Sequence, residues 1–220
     1  RATTPKDADE PAPAPQAARD QRETFTVLLG VGVAGFIALA LEVVWFRALV
    51  LIFGSTTYSF SAMLAVFLAG ISFGALALGW ISDRVRRPLA VFALAEILIG
   101  LFTMFSLRWF NDMPMHLLRF LLGHSFSWPA MITARFSITI VFLLVPTILM
   151  GFAFTVAARV MRHQTAASSR AVGVVYAWNT VGGMFGAFAG GFLLLPLLGA
   201  ERSLILLGAA AVILGMLVVL

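Results

Sequence analysis

Six apolar stretches follow one another through this chain, at 25–53, 58–81, 88–109, 130–158, 171–199 and 203–220. A helix rises about 1.5 Å per residue, so roughly 20 apolar residues cross a hydrocarbon core of about 30 Å. Six such runs in 220 residues leave too little polar sequence to wrap a water-soluble core. Composition agrees: 61% of residues are hydrophobic, 11% are charged, and mean hydropathy is +1.00. Soluble domains carry about 25% charged residues. The expected fold class is all-α, a polytopic membrane helix bundle of six spans built from residues 24–220. The first, fourth and fifth stretches exceed the bilayer's requirement, so they should tilt or protrude.

Residues 1–23 are different. They hold four prolines, six alanines and nine charges of mixed sign, with no apolar periodicity, and read as a disordered tail or linker. They lack the basic-then-apolar order of a signal peptide, and the apolar run that follows is far longer than such a peptide needs. A chain that opens on Arg1 and stops inside an apolar run is expected to be part of a longer one.

The links between stretches orient the bundle. One basic link runs from Asp83 through Arg84, Arg86 and Arg87, and another carries Arg159, Arg162 and Arg170. Together with Arg1, Lys6, Arg19 and Arg22 they put positive charge on the N-terminal side. The positive-inside rule makes that side cytoplasmic, and bacterial inner membrane is the expected location. The net charge of +5 is therefore topological, and the bilayer, not nucleic acid, is the expected partner. On the outer side, residues 114–122 are too short to cross. His116 and Arg119 share one side of that segment, opposite leucines, as in a helix lying in the interface.

The chain has no cysteine, which excludes disulfides, thiolate metal sites and iron–sulfur clusters. His116, His124 and His163 have no carboxylates at ligand spacing, so no metal is expected. There is no phosphate loop and no nucleophile–base pair, so neither catalytic residues nor a cofactor are expected.

Small residues recur at four-residue spacing. Gly182, Gly186 and Gly190 form one row, and Gly70 with Gly74 forms another. Such rows let a second helix backbone approach closely. Their positions in the second and fifth spans suit a 3+3 repeat, with spans one to three related to spans four to six.

Four ionisable residues fall well inside spans: Glu42, Arg47, Glu96 and Arg135. Each costs about 2.5–3.5 kcal/mol at the bilayer centre, so each calls for a partner, a watery cavity or a route to the surface. Glu42 shares a helix side with Gly35 and Ala38 and should point into the bundle. Arg47 and Arg135 lie close enough to the outer end of their helices to snorkel. Glu96 and Asn179 are at equal depth, with Tyr176 a turn away. Glu42, Glu96, Asn179 and Tyr176 are thus candidates for a proton or cation site, or else polar groups that set helix register. Pro146 should kink the fourth span.

Three segments together carry a resemblance. Residues 41–47 (Leu-Glu-Val-Val-Trp-Phe-Arg) with Phe53-Gly54-Ser55-Thr56, residues 146–151 (Pro-Thr-Ile-Leu-Met-Gly), and residues 173–182 continuing to Gly199 resemble membrane helices of the fused spermidine synthase-like family. That family joins a major-facilitator-like membrane domain to a polyamine aminopropyltransferase-like domain. Gly79 with Asp83, Arg84, Arg86 and Arg87 also resembles the cytoplasmic loop motif of the major facilitator superfamily. The resemblance implies half of a major facilitator fold. It gives no residue here a catalytic role, because the soluble domain is not in this sequence. The expected function is a membrane anchor or conduit for a downstream soluble domain. The alternatives are a non-catalytic subunit packed against other membrane subunits, and a half-transporter for a small polar or cationic solute.

Overall fold

Leu and Ala, the commonest residues of these stretches, are among the best helix formers, and a helix satisfies its own backbone where no water is at hand. In the computed structural model the backbone is described for residues 14–54, 57–82, 84–85, 87–110, 112–123, 127–164 and 168–219, and side chains from residue 25, apart from 59, 82, 121, 162–164 and 168–171. Every element among these residues is helical: α1 (Ala14–Phe53), α2 (Thr57–Ala77), α3 (Gly79–Ser82), α4 (Pro88–Phe110), α5 (Met113–Gly123), α6 (Trp128–Thr139), α7 (Val145–Gln164), α8 (Ser168–Ala189) and α9 (Leu195–Val219). Single π-helical turns, Ile140–Leu144 and Gly190–Leu194, join α6 to α7 and α8 to α9.

One boundary differs from expectation. Residues 1–13 lie outside the described residues, but 14–23, expected as linker, extend α1. Ala, Gln, Arg and Glu are good helix formers, and adding them to an existing helix avoids the cost of nucleation.

Among the described residues five segments are long and apolar enough to cross a membrane, the last being Val172–Val219. Gly199 breaks that segment, with φ 75° and ψ 176°. Its two arms run in opposite directions. Gly32, early in the apolar part of α1 that begins at Phe25, packs on Trp178, whereas Gly30 faces Val218 and Phe92. Both arms therefore reach the end of the bundle where α4 begins, and the described residues run along the bundle six times. Val160 of α7 joins Arg87 and Pro88 at this end. At the opposite end Tyr58 meets Trp128 edge-on with ring centroids 4.9 Å apart, and Phe110 meets Phe142 at 6.0 Å.

Between helices in lipid, association rests on close packing, because lipid tails are as apolar as Leu. Among the described residues, glycines achieve it in three helix pairs. Parallel α1 and α8 meet through Gly32 with Gly182, Phe36 with Gly186, and Ala40 with Gly190. Parallel α2 and α7 meet through Gly70 with Thr147, Gly74 with Ile148, and Ile71 with Gly151. Antiparallel α4 and α9 meet through Gly100 with Gly208 and Ala93 with Gly215. A Cβ on Gly70, Gly74, Gly182 or Gly186 would overlap the facing helix. The third seam escaped the sequence because its glycines do not repeat at four residues. The exterior is apolar, with Leu68, Phe73, Phe185 and Phe192 among its exposed side chains.

Pro146 brings a π turn instead of a simple kink, and Pro196 does the same. Each proline sits two residues beyond a π segment. A proline ring clashes with the carbonyl four residues earlier, and widening the turn moves that carbonyl aside. The Leu195 N–H accordingly donates to the Gly190 carbonyl, five residues back.

Candidate functional site

Polar groups buried in this bundle are mostly quiet. Thr103, Thr139, Thr147 and Ser203 each donate to a carbonyl four residues earlier at 2.5–2.8 Å, and Ser106 donates to Thr103 at 2.7 Å. A hydroxyl satisfied by its own helix asks nothing of its neighbours.

Glu96 is the exception that matters. It is 3% exposed on α4 and has neither hydrogen bond nor ion pair among the described residues. Its side chain lines a cavity of about 30 Å³ walled by Ala34 and Ala38 of α1, Met150 and Ala153 of α7, and Asn179 of α8. Glu96 and Asn179, expected at equal depth, thus share one cavity without bonding to each other. Gly35 makes room for Asn179: a Cβ there would lie 2.8 Å from Asn179 Oδ1 and against the Asn179 carbonyl.

Asn179 also opens outward. On that side a groove of about 540 Å³ runs between the α1–α8 pair and the α2–α7 pair, lined by Leu39, Phe67, Ser72, Met150, Tyr176 and Asn179. Tyr176 is exposed on its wall, its ring edge-on to Phe154 at 5.9 Å. The groove continues, through the shared Leu39 and Phe67, into a hollow of about 280 Å³ that holds Glu42. Glu42 is half-buried there, beside Val43, Phe46 and Met63.

The remaining candidates lie apart from this groove. Arg47 is exposed on α1. The Arg135 guanidinium donates at 3.1 Å to the carbonyl of Phe53, the last residue of α1, as a cation suits a helix C-terminus. It does not reach outward by snorkelling alone. Arg84 stacks 3.8 Å over the Trp80 ring, and its motif partner Asp83 lies outside the described residues. Gly70, Gly74, Gly182, Gly186 and Gly190 stand in the helix seams, and Gly74's neighbour Ala75 borders the groove. The sequence offered no sign of Met150 or Phe67 as groove residues, since nothing marks which apolar residue borders a hollow.

The class these features define is a bundle of helices long and apolar enough to cross a membrane, with a lateral groove whose continuous hollows carry an acid and an amide. Comparison with family models, with curated proteins and with solved structures finds no match for this chain.

Proposed function

We propose that this chain is a six-helix membrane module, half of a major-facilitator-type bundle, whose groove forms one wall of a passage for a small polar or cationic solute. The single observation that carries it is Glu42, half-exposed in the groove and without a partner among the described residues. Counted inward from Phe53, it is about 16 Å deep. An acid facing lipid at that depth is expensive, so water or a second unit must cover it.

The helix pairing supports the 3+3 reading. Let the six traverses be α1, α2, α4, α6 with α7, α8, and the 200–219 arm of α9. Exchanging the first three for the last three swaps the α1–α8 seam with the α7–α2 seam and maps the α4–α9 seam onto itself. The three segments that resemble fused spermidine synthase-like proteins also converge on the groove, through Glu42, through Met150 and Gly151, and through Tyr176 with Asn179. The resemblance makes a polyamine the first solute to try, and a soluble aminopropyltransferase-like domain the first partner.

The test is uptake of labelled spermidine into vesicles carrying this protein. Saturable uptake that Glu42→Gln reduces about tenfold or more is expected, the loss of roughly 1.4 kcal/mol of cation binding. Uptake no faster than in empty vesicles would leave the bundle as an anchor or packing subunit.

A further inference from the structure

We propose that Glu96 is a reversible proton-binding site, hydrated by a water shared with Asn179 and served from the groove. The cavity of about 30 Å³ exceeds the 10–15 Å³ that a single water needs, and it is too small for a solute. Its polar lining is one carboxyl and one amide, Glu96 and Asn179. Two donor side chains cannot replace the shell of six or so oxygens that a hard metal cation takes. A proton needs one oxygen.

No charge stands ready to hold a carboxylate in its ionised form there. Of the titratable and charged side chains on helices packed against α4, Glu42 of α1 faces the next hollow and Tyr176 of α8 lines the outer groove. Arg47 of α1, His116 and Arg119 of α5, Arg159 of α7, and Glu201 and Arg202 of α9 are absent from the cavity wall. The neighbours on α4 itself, Phe92 and Ile99, are apolar. An unpartnered carboxylate in such a place is far costlier than the neutral acid, whose O–H can donate to water. Asn179 is the link, because it lines both the cavity and the groove. The proton's route is therefore from the groove past Asn179 to Glu96. This inference does not depend on the groove conducting a solute.

Infrared difference spectroscopy of the full chain in lipid films tests it, since the carbonyl stretch of a protonated carboxylic acid stands clear of carboxylate and amide bands. We expect a protonated-acid band in the native protein that disappears in alkali and returns on neutralisation. It should be lost in Glu96→Gln, kept in Glu42→Gln, and displaced in Glu96→Asp, which retains an acid should the Gln variant fold poorly. Exchange into D₂O should shift the band, and more slowly in Asn179→Leu. A band unchanged by both Glu96 substitutions, or one that never responds to alkali, would overturn the proposal. Failed spermidine uptake with this band intact would count against the conduit alone.

Discussion

Gly186 and Gly173 occupy the same helix and differ in what stands opposite. A Cβ on Gly186 would run into the Phe36 carbonyl, whereas one on Gly173 would meet nothing within 4 Å. Gly186→Ala should therefore force α1 and α8 apart and cost about 1–3 kcal/mol, the usual range for overpacking. Gly173→Ala should be neutral or stabilise by up to about 1 kcal/mol through helix propensity. Thermal unfolding in detergent, the two variants side by side, reads the difference; equal melting temperatures would remove the seam from the account of stability. Position 199 behaves by another rule. No neighbour crowds it, but φ 75° with ψ 176° is a conformation that residues with a Cβ rarely adopt.

At the scale of the element, a π turn is one residue more than an α-helix requires. Deleting Leu193 should restore α-helical register through Gly190–Leu194 and drive the Pro196 ring against a carbonyl. The deletion alone should destabilise the protein by about 3 kcal/mol, the cost of proline inside a helix. Combined with Pro196→Ala it should recover most of that loss. A double variant as unstable as the single deletion would mean that the π turn serves the packing of α8, not the proline. Pro146 offers the same comparison within α7, two residues past its own π turn.

For the whole molecule, the ends of the helices sort into two groups. Arg84 and Arg87 belong to the end where α4 begins, while α5, with exposed His116 and Arg119, belongs to the end where α4 finishes. The chain contains no cysteine, so single cysteines report without background. Arg84→Cys and Arg119→Cys should react with impermeant maleimides from opposite sides of sealed vesicles. Labelling of both from one side would contradict a crossing by α4. Much of this was legible beforehand: the apolar runs marked the crossings, the arginines marked the links, and Gly182-x3-Gly186 marked a seam. The partners were not. Gly208 and Gly215, seven residues apart on one side of α9, offered half of a third seam, but nothing in the sequence pairs them with the lone Gly100, because a contact between distant helices is written in neither one's periodicity.

Helix, crossing length and charge asymmetry are local properties, and the sequence by itself determined them: an apolar run in lipid has to satisfy its own backbone, and helix is the way a single segment does so. Glu42 and Glu96 could be named from the sequence as acids at lipid depth, since hydropathy sees a charge inside an apolar run. Their different surroundings were decided only by tertiary structure. Glu42 is left half-open in the hollow between α1 and α2, whereas Glu96 is enclosed with Asn179 behind it. The placing of Asn179 beside Glu96 depends on how closely α1 approaches α8, a distance set by the missing Cβ atoms of Gly35, Gly182 and Gly186. Close packing is a property of two surfaces at once, and a linear pattern specifies only one of them.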